Sequence, residues 1–426
     1  MASAGTPFQR HRTTRGLLMA GIVGLTAPAC VPDGADDGPA PQSLVVVSED
    51  PSDNPLQPLS ADQQKTFDAG DVGFDKRYFA AQGLGPLYIR TSCARCHDGD
   101  AKGPGFVEKM VLVADDGTVS APQNGVTVRP FIEAGATTPI VPPADDGHLF
   151  MSTRIGPAVF GRGFMEAVSD DAIEAVEAAQ QGRDDGISGR IHRVAWQSEA
   201  NPDTTFHAHR PGDTGLIGRF GLKGRIATLD EFTADAFQGD MGITSPLRPT
   251  EPANPDGLTD DLHAGVDVDA DTVNDIADYM RLLAIPTRRA PAGVSTADLD
   301  RAAALFDDVR CAVCHVPAMR TSATYPFAQL QDTDAALFSD LLLHDLGDDL
   351  QDHVQDGDAS GREWRTAPLM GLRFFGGYLH DGRAPTIEDA ITAHASAGSE
   401  ANDSVDRFNA LGEADRALLI TYVESL

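Results

Sequence analysis

Five cysteines stand in this 426-residue chain, and four of them fall in two copies of one pattern: Cys93-Ala94-Arg95-Cys96-His97 and Cys311-Ala312-Val313-Cys314-His315. A Cys-x-x-Cys pair alone suits half of a zinc site, a redox dithiol or a disulfide. The histidine that follows at once narrows the chemistry. Two thioether bonds to the paired cysteines would hold a haem against the chain, and the adjoining histidine would then stand beneath the iron as its ligand. On this reading Cys93, Cys96, Cys311 and Cys314 carry two covalent c-type haems, and His97 and His315 ligate the metal. The competing arrangement is one zinc cage made by all four cysteines, which leaves both histidines without a role.

Each motif needs elements to hold it. Apolar residues recur at helical intervals ahead of each one, in "FDKRYFAAQGLGPLYIRT" and in "STADLDRAAALFDDVR". A second amphipathic stretch follows each motif at a distance. "DADTVNDIADYMRLLAIP" puts Val273, Ile276, Ala277, Met280 and Leu283 on one stripe, and "LGEADRALLITYVESL" does the same with Leu411, Leu418, Leu419, Tyr422 and Val423. A leading helix, a haem motif and a closing helix make the plan of a cytochrome c domain. The expected fold is therefore mainly α, with two cytochrome c-type domains over residues 61–287 and 288–426, long irregular loops and a few short strands. Strands are expected around Val111 to Val113 or Val126 to Val128.

The N-terminus reads as an export signal over residues 1–29: Arg10, Arg12 and Arg15 precede the short apolar run "GLLMAGIVGLTAPA". Cys30 stands where a lipoprotein is cleaved and lipidated, with cleavage by ordinary signal peptidase as the alternative. Residues 30–60 are rich in Pro, Gly, Asp and Ser and read as a flexible tether. A periplasmic or outer-envelope location follows, and a lipid anchor through Cys30. The chain carries 33 basic and 64 acidic side chains, a formal charge of −31. That charge argues against a nucleic-acid partner and suits a basic electron donor, a small cytochrome or cupredoxin. Solvation of the surface is the plainer explanation of the same charge.

The stretches "QGLGPLYIRTSCARCHDG", "GFMEAV", "DDGISGR", "GRFGLKG", "FQGDMGITS", "CAVCHVP", "FSDLLLHDLG", "GREWRTAPLMGL" and "YLHDGRAPTIEDAITAH" together resemble the bacterial di-haem oxidoreductase family. That family is related to di-haem cytochrome c peroxidases and to the methylamine-utilisation di-haem enzyme. The resemblance implies a second axial ligand for the C-terminal haem at His394, which stands 14 positions after His380. Met370 is the rival ligand, and His380 itself is expected to be a hydrogen-bonded loop residue. The resemblance also puts Asp240 where the peroxidases hold a catalytic acid over the N-terminal iron. The other reading of Asp240 is a residue that braces a turn.

Some family features are missing. Phe232 stands at the place of a polar distal residue, and Leu222 at the place of an aromatic between the haems, which weakens an aromatic relay. No histidine occurs between His97 and His148, so a sixth ligand for the first haem would have to come from His148, Met151, His207 or His209, or the iron stays open. Clustered carboxylates at "DDGISGR" make calcium conceivable there. The function expected is a peroxidase-like oxidoreductase: a donor reduces the C-terminal haem, and the N-terminal haem reduces a small oxidant such as peroxide. The alternative is a non-enzymatic di-haem electron-transfer protein.

Overall fold

The computed structural model of the chain describes residues 53–133, 135–143, 148–259 and 264–426. The expected export signal, Cys30 and the tether up to residue 52 lie outside the described residues. In the rest of the expected tether one residue is packed into the fold. Leu56 is fully buried, and its N–H donates to the Leu282 carbonyl at 2.7 Å.

The helices run in the order α1 (Ala61–Asp75), α2 (Arg162–Ala167), α3 (Asp170–Gln181), α4 (Leu229–Met241), α5 (Ala270–Leu282), α6 (Thr296–Asp308), α7 (Cys311–Cys314), α8 (Ile387–Ala393), α9 (Asn402–Ala410) and α10 (Glu413–Glu424). Short polar side chains start the ones that matter most. Ser60 with Gln63 and Ser295 with Asp298 form reciprocal capping boxes on α1 and α6, while Thr228 caps α4 and Asp269 caps α5. Helix α1 packs on α5, and α6 packs on α10, so each motif has its leading and its closing helix. The crossing of α1 and α5 is close enough that a Cβ at Gly70 would lie 2.1 Å from the Asp275 carbonyl oxygen, which only glycine permits.

Two apolar clusters hold these pairs. One gathers Phe74, Phe164, Phe237, Val273, Ile276 and Met280, and the other gathers Phe306, Phe338, Phe408, Leu419 and Tyr422. The stripe expected on α5 is buried throughout: Val273, Ile276, Ala277, Met280 and Leu283 are at most 6 % exposed. Fully burying a side chain such as Ile or Val is worth roughly 1.5–3 kcal/mol.

The helix expected over "FDKRYFAAQGLGPLYIRT" is not formed. Helix α1 stops at Asp75, and the chain continues through a short 3₁₀ turn at Ala80–Gln82 and a strand at Leu87–Tyr88. Gly83 and Gly85 take positive φ there, and Pro86 offers no N–H to extend a helix. The strand expected around Val111 to Val113 is formed, within Phe106–Val113. Phe106–Val113 pairs antiparallel with Leu149–Ile155, from Phe106 opposite Ile155 to Leu112 opposite Leu149. The stretch around Thr127 adds only a bridge to Lys109. A second ribbon pairs Leu343–Asp345 with Glu363–Arg365 and sets His344 opposite Trp364. Both ribbons lead into the functional region: the first ends at Ile155, where the chain turns to pass the two motifs, and the second carries His344, Trp364 and Arg365.

Candidate functional site

The first motif lies on a 3₁₀ turn, Cys93–Arg95, held by the Cys96 N–H to the Cys93 carbonyl at 2.9 Å. Cys93 and Cys96 carry free thiols. They line a cavity of about 80 Å³ together with His97, Asp240, Met241 and Met280. One face of α4 supplies a wall of it: Leu229, Phe232, Thr233, Ala236 and Asp240 follow helical spacing. The His97 ring is oriented by its Nδ1, 2.6 Å from the Pro157 carbonyl oxygen, which leaves Nε2 for a metal. Burial pushes the His97 pKa down to about 4, so the imidazole is neutral at physiological pH.

Asp240 sits in the last turn of α4, before Gly242 ends the helix in a left-handed conformation. Burial raises its pKa, opposed by the charges of Lys109, Arg129 and Arg225 and reinforced by Asp235. An acid in the last turn of a helix gains nothing from the helix dipole. It lines the first cavity.

The second motif forms α7, a single turn in which Arg310, at φ 66°, leads into Cys311–Cys314. Cys311, Cys314 and His315 line a larger cavity of about 250 Å³, and so do His394, His380, His344, Trp364 and Leu222. His315 Nδ1 lies 3.0 Å from the Phe338 carbonyl oxygen, and His394 Nδ1 lies 2.7 Å from that of Ala390. Both imidazoles therefore keep Nε2 for a metal. The His315 pKa is pushed down to about 4 by burial and then by His394, whose ring is near enough to act on it. Met370 does not line this cavity; it is buried in the larger apolar cluster, where its Sδ would lie 2.6 Å from a Cβ at Gly161. His380 stacks on Trp364 at 4.0 Å between ring centroids, and its carbonyl accepts from the Ile155 N–H at 2.8 Å.

The donor sets fit haem. Each cavity joins two free thiols, three apart, to an imidazole whose Nδ1 is tied to a carbonyl, and each is walled mainly by apolar side chains. The two cysteine pairs line separate cavities, so the four-cysteine zinc cage is not formed. The cavities share the wall made by Pro157, Ala158, Arg162 and Arg365.

The distant candidates for a sixth ligand at the first site do not reach it. His207 Nε2 pairs with Asp230 at 2.9 Å, His209 stacks on His207, and His148 and Met151 are exposed. Among the described residues, His97 is the only histidine lining that cavity, whereas Met241 and Met280 both line it. At "DDGISGR", Asp185 is paired with Arg183 and with Arg310, the latter at 2.9 Å, so that carboxylate is already neutralised.

Sequence reading passed over several residues of the second site. His344 is buried between Asp340 at 2.9 Å and Glu400 at 2.7 Å, with Cys314 Sγ 3.7 Å away. Cys314, Asp340 and His344 could together hold a cation. Lys102, five positions after His97, reaches the second cavity and donates to the Leu379 carbonyl. Lys223, with no exposed surface, lies 4.0 Å over the Trp364 ring. His344 and Trp364 stand inside "FSDLLLHDLG" and "GREWRTAPLMGL", but no spacing rule points to them.

A family model described as "Di-haem oxidoreductase, putative peroxidase" matches residues 143–426. The match takes in the second motif and Asp240, while Cys93 to His97 precede it. No curated protein matches the chain. Similar solved structures include hydrazine synthase of Kuenenia stuttgartiensis, at 14% identity over 93% of this chain and 99% of that one, with a TM-score of 0.36. A variant of the di-haem peroxidase BthA from Burkholderia thailandensis shares 14% identity over 90% of this chain and 89% of that one, with a TM-score of 0.39. A MauG-like protein associated with microbial copper homeostasis shares 14% identity over 61% of this chain and 89% of that one, with a TM-score of 0.30.

Proposed function

The chain belongs to the di-haem oxidoreductase family, and from that premise we propose that it is an exported c-type di-haem enzyme of peroxidase type. Cys93 and Cys96 hold one haem by thioether bonds and Cys311 and Cys314 the other. His97 and His315 ligate the irons, and His394 is the second ligand at the C-terminal site. When bound, the haems supply iron that exchanges single electrons.

The observation that carries this reading is the difference between the cavities. The second brings His394 toward His315, which suits a six-coordinate relay fed by a small donor cytochrome or cupredoxin. The first has, among the described residues, His97 as its single histidine and the carboxyl of Asp240 instead, which suits a reacting site. Reduction of peroxide to two waters consumes two electrons and two protons. Asp240 takes a proton from the near oxygen and returns one to the departing oxygen. The formal charge of −31 favours a basic donor. Export is supported by the basic and apolar N-terminus, and Cys30 serves as the lipid anchor.

A second reading, a non-enzymatic electron carrier, is favoured by Met241 and Met280, either of which could complete the first iron's coordination. A high-spin absorption band, or cyanide binding at one haem, decides for the enzyme. The covalent attachment is tested by mass: protein denatured and extracted with acid acetone is expected to keep two haems per chain. Complete loss of haem on extraction overturns the proposal.

A further inference from the structure

Five arginines are buried among the described residues, and three of them are neutralised by carboxylates. Arg154 binds Asp352 at 2.6 Å and Asp356 at 2.7 Å; Arg281 binds Glu166 at 2.6 Å and Asp278 at 2.8 Å; Arg219 binds Asp170 at 2.5 Å. Arg162 and Arg365, 8 % and 6 % exposed, are different. Arg162 gives Nε to the Ala158 carbonyl at 2.6 Å and Nη1 to Met165 Sδ at 2.8 Å. Arg365 gives Nε to the Gly221 carbonyl at 3.2 Å and Nη1 to the Thr366 carbonyl at 2.8 Å. Neither makes a hydrogen bond to a carboxylate, and Nη2 of each is left over. The charge of Asp340 acts on Arg365 from a distance, but the Asp340 oxygens are taken by His344, Gln180 and the Leu342 N–H.

A guanidinium removed from water without a counter-ion is strongly disfavoured. In a chain with 64 acidic residues, leaving two such groups unpaired needs a reason. The reason is in their location: Arg162 and Arg365 line both cavities, each facing the space beside either motif. Burial and mutual repulsion push the Arg162 pKa down to about 9, and burial pushes that of Arg365 down to about 10. Both values keep the groups cationic at neutral pH.

We propose that Arg162 and Arg365 form a carboxylate clamp shared by the two haem sites, binding propionate groups that enter the common wall from either side. A guanidinium is suited to this, because its planar fork presents parallel N–H groups to a carboxylate. One fixed pair of positive charges then acts on both irons and favours the reduced form at each. The inference rests on the di-haem reading. A small carboxylate anion from solution is the other source of the same chemistry.

The test is a redox titration of Arg365→Gln against the whole wild-type protein, with haem content read by mass. Two haems per chain are expected in both proteins. The reduction equilibrium in the variant is expected to fall roughly tenfold at both haems, equivalent to about 59 mV for one electron. Arg365→Lys, which keeps the charge, is expected to restore most of the shift, and Arg162→Gln provides the same test should the first variant fail to fold. A shift confined to one haem, or none at all, with two haems attached, overturns the shared clamp. Wild-type potentials that move on addition of formate assign the site to a solution anion and overturn it too. Wild-type protein with fewer than two attached haems counts against the di-haem reading instead.

Discussion

In Asp240→Asn the side chain keeps its volume and a carbonyl oxygen but loses the ability to accept and return a proton. Asp240 is the only carboxyl group lining the first cavity among the described residues. Its neighbours offer no replacement: the Thr233 hydroxyl is committed to the Leu229 carbonyl at 2.7 Å, and Phe232 and Ala236 are apolar. With no second base in reach, the full contribution of general acid–base catalysis should be lost, about 10²–10⁴-fold in rate. At ~1.36 kcal/mol per tenfold, that is about 2.7–5.4 kcal/mol of transition-state stabilisation. The assay is peroxide-dependent oxidation of a reduced donor cytochrome, followed with the absorption spectra of both haems, which should not change.

The pH profile provides an independent sign. Burial raises the Asp240 pKa, so its base form takes over at a higher pH than in a free aspartate. The wild-type rate should rise with pH through that raised value, and the Asn variant should lack the limb. The raised value also means that ionisation at Asp240 disfavours the folded state. Its contribution to stability is fully present at low pH and is lost as pH rises through the folded value. The Asn variant should therefore melt no lower than wild type at neutral pH. An Asn variant as fast as wild type, with the same pH limb, refutes the assignment and returns Asp240 to a purely structural role.

Replacing His394 with Ala should convert the C-terminal haem from low to high spin and leave the other haem's spectrum unchanged; an unaltered spectrum would move the ligand elsewhere. Cys311→Ser should reduce the haem surviving denaturation to one per chain or to a single-thioether adduct, as read by mass. Glu166→Ala strips Arg281 of its closest partner and also unpairs the Tyr325 hydroxyl, 2.5 Å from Glu166. A chemical denaturation series should show a loss of roughly 3–5 kcal/mol. Burial alone would raise the Glu166 pKa, but Arg281 and Tyr325 hold it below its ordinary value. Its stabilisation is therefore present above the unfolded carboxylate pKa and lost as pH falls, so the gap between wild type and variant should narrow in acid.

Much of the site could be read from covalent spacing. Cys-x-x-Cys-His is a local device: one turn of backbone sets two thiols and an imidazole on one surface, so the two motifs and their adjoining histidines, as candidate ligands, were legible with no knowledge of the fold. The stripe on α5 was equally legible, because helical periodicity is written into neighbouring residues. The leading helix of the first unit was misplaced because apolar spacing over Phe74 to Thr91 is helical while Gly83, Gly85 and Pro86 forbid the helix. There the backbone constraint outweighed the pattern.

The rest is non-local. No spacing rule links Pro157 to His97, yet its carbonyl orients that ring from 60 positions away. Arg162 and Arg365 are 203 positions apart, and they meet in one wall because the chain just after the strand ending at Ile155 and the ribbon carrying Trp364 both line the two cavities. That His394 lines the second cavity and Met370 does not likewise depends on which side chain the fold turns inward. Sequence by itself determined which residues are candidates to bind haem, since that is a property of adjacent groups. Tertiary structure decided which carboxyl, imidazole and guanidinium groups face each cavity, because burial and approach across long loops are set by packing and leave no periodic trace in the chain.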